Sequence, residues 1–385
     1  MAETARATAT SVEDQLRNLA ALEPATSPVI SLYLDLRPNQ HGRDDYDAFV
    51  KKVLPDRSKA LPQGSAERES FDRDVARIQA YLGSELERAA NGLAIFACQS
   101  AGLFETIQLE APIDQHWLFV GSAPHLYPLA RLLDMYPRYA AVLVDSNRAR
   151  IFVFSLASIE QSRELAGKKT KRHSQGGWSQ ARYQRHIENM HLQHVKEVVD
   201  ALDALVRDEG IQHVIAAGPD EALALLRDQT PPHLAEKLSA TTKLELGASD
   251  AEVLQATLES FQQRAAETDA ERVREFLDAW QSGGLGIAGP EATLKALEMS
   301  QVDELIISGS MEALKPVQRL PDDAAPGRIE ADTSAPQGTA DEMTLKLSRE
   351  LIARAQQTGA RIRFIEDSAL LEEVGGVGAL LRFRI

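Results

Sequence analysis

The sequence predicts an α/β protein of three domains, and three observations carry that expectation. Strand-type alternation recurs in each third of the chain, and helix-type periodicity separates the strands. A chain of 385 residues also exceeds what one compact core ordinarily serves. The expected boundaries are 1–136 for an N-terminal α/β domain, 137–282 for a middle domain carrying a Gly-Gly loop, and 283–385 for a C-terminal domain.

In the first domain, Ile30, Leu32 and Leu34 alternate with Ser31, Tyr33 and Asp35, which predicts a strand over 29–35. A helix over 65–90 and strands over 92–97 and 103–109 follow. No more specific class emerges for this domain. Residues 1–13 lack both a basic start and an apolar stretch, so they read as a frayed leader rather than a signal peptide.

In the middle domain, residues 139–145 and 149–154 flank Ser146-Asn147 and predict a hairpin. Further on, Ile187, Met190, Val195, Val198, Val199, Leu202, Leu205 and Val206 recur every three or four residues, the signature of one long helix with a single buried stripe. A strand over 211–216 closes at Gly218-Pro219, and a helix starts at Asp220. Residues 249–280 read as a charged helix or helical pair, with Ser249 or Asp250 as its cap.

The last third opens with Pro290 at the first position of a helix reaching Met299, followed by the apolar strand Glu304-Leu-Ile-Ile-Ser308. Residues 316–339, rich in Pro, Asp, Ala and Gly, read as a flexible excursion. A helix over 341–357, a strand over 361–365, a Ser368-capped helix to Val374 and a final strand over 379–385 complete a three-layer α/β module.

Composition limits the function. No run approaches the roughly 18 apolar residues of a membrane span, which points to the cytoplasm. The single cysteine, Cys98, excludes an internal disulfide and a cysteine-based zinc site, and its apolar setting marks a buried strand residue. A net charge of −15 would repel nucleic acid if it were evenly spread. It is not evenly spread. Between Glu164 and Glu188 there is no acidic residue, whereas Lys168, Lys169, Lys171, Arg172, Arg182 and Arg185 all fall there.

Within that basic island lies His173-Ser-Gln-Gly-Gly-Trp-Ser-Gln-Ala-Arg-Tyr-Gln-Arg185. Adjacent glycines allow close backbone approach to a ligand, flanking cations suit phosphates, and the helix that follows supplies a rigid base. This stretch resembles the Gly-Gly-Gln loop of eukaryotic and archaeal class-1 release factors, with Gly176, Gly177, Ser179, Arg182, Tyr183 and Arg185 as counterparts. The segments 296–308 and 371–383 likewise resemble the entry and closing strands of the third domain of release factors and pelota. The resemblance covers roughly 138–385 and omits the first domain. The chain is identified as a bacterial member of that superfamily.

The resemblance implies a ribonuclease-H-like middle domain, an L7Ae-like α/β/α C-terminal domain, and a protein that binds ribosomal RNA and tRNA in the ribosomal A site. It also implies a translational GTPase as partner of the C-terminal domain. No cofactor or metal is implied. The family glutamine is displaced: Trp178 follows Gly-Gly directly, and a glutamine appears two places later as Gln180. That spacing is similar to bacterial relatives and, more distantly, to the peptidyl-tRNA hydrolase domain of eukaryotic ribosome quality-control factors. Gly176, Gly177 and Gln180 are then the candidate catalytic residues. Lys168, Lys169, Lys171, Arg172, Trp178, Arg182 and Arg185 are the candidate RNA-binding residues. An amide cannot titrate near neutrality, so Gln180 would act by positioning water. Stop-codon decoding is not implied, since the first domain has no counterpart of the decoding motifs.

Two functional readings follow: rescue by peptidyl-tRNA ester hydrolysis, or hibernation of idle ribosomes without chemistry. Two other motifs are set aside. Gly284-Leu-Gly-Ile-Ala-Gly289 fits a dinucleotide fingerprint, but a helix rather than a strand is expected before it. His186, His191 and His194 share a helix but lack a carboxylate partner, so a solvated or RNA-facing cluster is expected rather than zinc.

Overall fold

The computed structural model describes residues 11–38, 45–87, 90–166, 180–315 and 342–384, and the backbone alone for 180–184. Two compact units emerge: residues 1–135 together with 269–385, and residues 136–268.

The first unit opens with α1 (Val12–Ala20), β1 (Val29–Asp35), α2 (Tyr46–Ala60), α3 (Ala66–Ser84), β2 (Gly92–Cys98), β3 (Leu103–Leu109), β4 (Trp117–Gly121) and α4 (Tyr127–Met135). The strands form an antiparallel sheet in the order β3-β2-β1-β4. One face, Ile30, Leu32, Leu34, Leu93, Ile95 and Ala97, packs on α2 and α3 through Phe49, Val53, Leu54, Phe71 and Ile78. Cys98 is buried at the end of β2, as its apolar neighbours predict. Where a frayed start was expected up to residue 13, α1 instead begins at Val12. The Ser11 hydroxyl accepts the Asp14 N–H at 3.1 Å, an N-cap that draws Leu16 and Leu19 into the core.

The second unit contains β5 (Tyr139–Val144), β6 (Arg148–Ser155), β7 (Ser158–Ala166), α5 (Gln180–Asp208), β8 (His213–Ala217), α6 (Asp220–Gln229), α7 (Pro232–Ala235), β9 (Leu238–Thr242) and the start of α8 (Asp250–Gln281). The sheet order is β7-β6-β5-β8-β9. The first three strands are an antiparallel meander, and β8 and β9 run parallel to β5. This third-second-first-fourth-fifth order is the ribonuclease-H-like topology. Alternation decides the layers. Ala140, Val142, Val144, Ile151 and Val153 meet α5 and α6 through Val195, Val198, Val199, Leu202, Val206 and Leu226. Tyr139, Ala141, Leu143, Phe152 and Phe154 meet Val253 of α8 on the other face. Each buried Val, Leu, Ile or Phe among them stabilises the fold by about 1.5–3 kcal/mol relative to exposure.

The first unit resumes with the end of α8, then β10 (Gly286–Ala288), α9 (Pro290–Glu298), β11 (Val302–Ser308), α10 (Glu342–Thr358), β12 (Arg361–Ile365) and β13 (Val377–Leu381). Its sheet runs β10-β13-β11-β12, with β12 parallel to β11 and the others antiparallel. Val273 and Phe276 of α8 cover one face with Ile306, Ile365, Leu371 and Val374. Helices α9 and α10 pack beside the same sheet, giving the α/β/α layering expected of an L7Ae-like module. The expected Ser368-capped helix is a 3-10 turn over Ser368–Val374, capped by Asp367. The last strand ends at Leu381 rather than at the terminus. The excursion at 316–339 lies outside the described residues.

Polar contacts bind the two halves of this unit. The Asp134 carboxylate accepts the Phe364 N–H at 2.9 Å, Arg131 reaches Glu366 and Asp114, and the Tyr127 hydroxyl donates to the Ser308 carbonyl. Burial pushes the Asp134 carboxyl up to about 7, with Asp269 and Glu366 adding to the rise against the Phe364 N–H and Arg363. A carboxyl raised in the folded state holds its proton better than in the unfolded chain. Its contribution is therefore full at acid pH and is lost as pH rises from about 4 through about 7. Asp134→Asn keeps the acceptor and removes the titration. In thermal unfolding from pH 5 to pH 8, the variant's midpoint should rise relative to wild type with increasing pH; a pH-independent difference would contradict the assignment.

Candidate RNA-facing loop and its frame

The Gly-Gly segment joins β7 to α5, so its two anchors are an edge strand of the ribonuclease-H-like sheet and a helix of 29 residues. That helix extends about 43 Å at 1.5 Å per residue, and Val195, Val198, Val199, Leu202 and Val206 hold it against the sheet. Lys168, Lys169, Lys171, Arg172, Gly176, Gly177 and Trp178 lie outside the described residues. Gln180 is the first residue of α5 and Arg182 the third, both described in backbone only. Arg185 is exposed on the same helix. The first turn of α5 contains no acidic residue. Helices favour Asp or Glu there, because the unsatisfied N–H groups make that end positive. The sequence supplies Gln180, Ala181 and Arg182 instead, so this turn adds no negative charge of its own.

The loop leaves from the end of the sheet where β5, β8 and β9 finish. There the Asp145 carboxylate accepts the N–H groups of Asn147 and Arg148, each at 2.7 Å, and fixes the β5–β6 turn. Gly218 ends β8 with φ 150°, and a Cβ at this position would lie 2.2 Å from the Val144 carbonyl oxygen. Only glycine permits that approach, which brings the ends of β5 and β8 together. Behind them, Ser249 and Glu252 form a reciprocal capping box at the start of α8: the Glu252 N–H donates to the Ser249 hydroxyl at 3.3 Å, and the Ser249 N–H donates to the Glu252 carboxylate at 2.7 Å. The Arg150 guanidinium donates to the Leu246 and Ala248 carbonyls and pairs with Asp250.

Sequence reading passed over two arginines at the base of the loop. Arg148 stands opposite Ala166 in the β6–β7 register, and Arg163 stands opposite Ile151. Both are exposed. The position of Arg148 just after a turn was visible in the sequence, but β7 was not, so its pairing with the residue that leads into the loop was hidden.

The histidine expectation needs correction. His186 is exposed and His191 half-buried, but His194 turns inward on α5 and is 4% exposed, its Nε2 without a hydrogen-bond partner among the described residues. A helix of this length rotates its residues through the core face, so the three do not present one solvated surface. Among the described residues no group of His, Cys, Asp and Glu could hold a metal ion, and no helix is long and apolar enough to cross a membrane. The fingerprint at 284–289 follows helix α8 and itself contains β10, so it is not a strand-to-helix turn.

Comparison with known proteins matches residues 124–262 to bacterial archaeo-eukaryotic release factor family 10 and residues 266–385 to domain 3 of eRF1. Among similar proteins are two named peptide chain release factor subunit 1. That of Methanopyrus kandleri is 27% identical over 57% of this chain and 54% of its own length. That of Thermoplasma acidophilum is 23% identical over 96% of this chain and 94% of its own. Similar solved structures include an archaeal translation termination factor, aRF1, at TM-score 0.27 and 18% identity, covering 97% of each chain. Archaeoglobus fulgidus Pelota aligns at TM-score 0.34 and 14% identity, over 97% of this chain and 93% of its own. With two release-factor family matches running almost end to end from residue 124, the chain belongs to the archaeo-eukaryotic class-1 release factor/pelota superfamily of translation factors, in its bacterial branch.

Proposed function

We propose that this protein enters the ribosomal A site and hydrolyses the ester between a nascent peptide and its tRNA, rescuing stalled ribosomes without reading a stop codon. The observation that carries this reading is a Gly176-Gly177 loop followed by Gln180, set between β7 and α5 in a chain matched to a bacterial release-factor family. Peptidyl-tRNA carries an activated ester, so the catalyst needs an oriented water more than a strong base. The Gln180 amide positions that water, and backbone N–H groups at Gly176 and Gly177 stabilise charge developing on the carbonyl oxygen. Lys168, Lys169, Lys171, Arg172, Arg182 and Arg185 hold RNA phosphates, and Trp178 stacks on a terminal base, an interaction worth about 1–3 kcal/mol. The C-terminal module is the proposed contact for a translational GTPase, and the cytoplasm the proposed compartment.

Stalled ribosome–nascent-chain complexes incubated with the protein should release peptide, and Gln180→Ala should reduce release to the uncatalysed background. No release by wild type would overturn the hydrolytic reading. A second reading is favoured by Trp178, which occupies the place of the release-factor glutamine: the protein occupies the A site of idle ribosomes without chemistry. In that case co-sedimentation with idle ribosomes survives Gln180→Ala but falls when Lys168, Lys169, Lys171 and Arg172 are neutralised together. Each lost phosphate contact should flatten the salt dependence by about 0.7–0.9 in logarithmic slope.

A further inference from the structure

We infer that Arg148 and Arg163, together with Arg185, form a rigid phosphate-binding rim at the base of the loop, built to hold the ribose-phosphate backbone of RNA. The inference rests on the RNA-directed reading above and extends it from the loop to the folded frame.

The first argument is placement. Arg148 is the cross-strand partner of Ala166, which sets their Cα atoms about 5 Å apart. Arg163 precedes Ala166 by three residues, about 10 Å along an antiparallel strand. Arg185 lies five residues into α5, about 7.5 Å along its axis. Leu165 packs toward α5, so Arg163, two residues before it, occupies the same face of the sheet as that helix. Arg148 shares the opposite face with Arg150. Arg163 and Arg148 therefore flank the two faces of the strand from which the loop departs, and Arg185 stands on the helix that follows the loop.

The second argument is charge pairing. Most other arginines of this unit are engaged, Arg138 with Glu160 and Glu209, Arg150 with Asp250, Arg207 with Asp203, and Arg227 with the Thr241 hydroxyl; Arg264 on α8 is an exception. Arg148, Arg163 and Arg185 have no ion pair among the described residues. Asp145 is committed to its turn and Asp250 to Arg150, while Glu164, across from Arg150, and Glu188, on α5, make no ion pair among the described residues. In a chain of net charge −15, exposed arginines left unpaired at one end of a sheet are suited to an external anion. Arg148 is also held ready, since its N–H is fixed by Asp145 and its carbonyl accepts the Asp145 N–H at 2.9 Å. A repeating polyanion matches three fixed cations better than a single small ion does.

The test uses the full chain carrying Arg148→Glu, Arg163→Glu and Arg185→Glu together, with binding to purified ribosomes and to deacylated tRNA measured across salt concentrations. Lys196→Glu with Arg264→Glu is the control, because both residues are exposed and unpaired among the described residues but lie elsewhere. The triple variant should unfold at the wild-type temperature, bind roughly tenfold more weakly or worse near 0.1 M salt, and lose about 2 from the logarithmic salt slope. The control should bind as wild type does, and the triple Arg→Lys variant should keep most of the slope. Wild-type binding that the triple reversal leaves unchanged overturns the rim while sparing the proposed function. A wild type that binds neither ribosomes nor tRNA overturns both.

Discussion

Phe276→Ala should cost about 3–5 kcal/mol of stability, the range for emptying a large aromatic site in a closed core. Phe276 is 0% exposed and sits with Val273, Ile306, Ile365, Leu371 and Val374 on the face of the sheet that α8 covers. Its ring presses directly on Gly378 of β13, where a Cβ would lie 2.1 Å from the ring Cζ. The facing position has no side chain with which to fill the gap. The geometry makes a second, linked expectation. Gly378→Ala should be strongly destabilising in wild type and less so in the Phe276→Ala background, where the ring contacts are gone and the Ile287 carbonyl oxygen at 2.9 Å still crowds the new methyl. Urea unfolding of the four proteins measures the coupling. Additive losses would contradict the packing described, as would a Phe276→Ala loss below about 1 kcal/mol, given total stabilities of about 5–15 kcal/mol for domains of this kind.

That contact also shows what the sequence could and could not tell. The strands over 29–35, 103–109 and 361–365 were legible to the residue, because each alternates or concentrates apolar side chains. Strand β10 was not, because three residues rich in small side chains carry no period. Here glycine serves packing: at Gly286 a Cβ would meet the Trp280 nitrogen at 2.4 Å. Strand β7 was missed for the opposite reason. Most of Ser158–Ala166 is exposed and polar, as befits a sheet edge, so its place is set by pairing with β6 rather than by burial. Helix α2 was hidden by Pro55 inside it, where tertiary burial of Phe49, Val50, Val53 and Leu54 outweighs a propensity penalty of about 3 kcal/mol.

The candidate site divides along the same line. Its loop was readable because glycine pairs and charge clusters are local in sequence. The frame was not, because Arg148 and Ala166 meet only through a strand pairing that spans 18 positions. The buried side of His194 was likewise invisible without the direction of the helix face.

Glu304→Ala should be nearly as damaging as Phe276→Ala, at about 3 kcal/mol, by an electrostatic route. Glu304 lies on β11 with its side chain 3% exposed, between Arg363 of β12 at 2.9 Å and Arg272 of α8. Arg363 continues to Asp269 at 3.0 Å. Burial alone would raise the Glu304 carboxyl, but hydrogen bonds from Arg363 and Arg272 outweigh it and hold the group below its ordinary range. Removing the carboxylate leaves two guanidinium groups facing each other with one shared counter-charge gone. Breaking a buried pair typically costs about 3–5 kcal/mol. The arginines are 29% and 35% exposed, so water recovers part of the loss and the lower end applies. The sign with pH follows. A carboxyl lowered by folding contributes stability above its unfolded value of about 4.5, and that contribution is lost as pH falls through the folded value. Wild type and Glu304→Ala should therefore differ by the full amount above about pH 4.5 and converge in unfolding free energy as pH falls below it. Glu304→Gln should recover little, because an amide keeps the shape and some hydrogen bonding but supplies no charge. If Glu304→Gln matched wild type at pH 7, the network would be a hydrogen-bonding arrangement rather than an ionic one. The same residues would then tie α8 to β11 and β12 without the predicted dependence on acid.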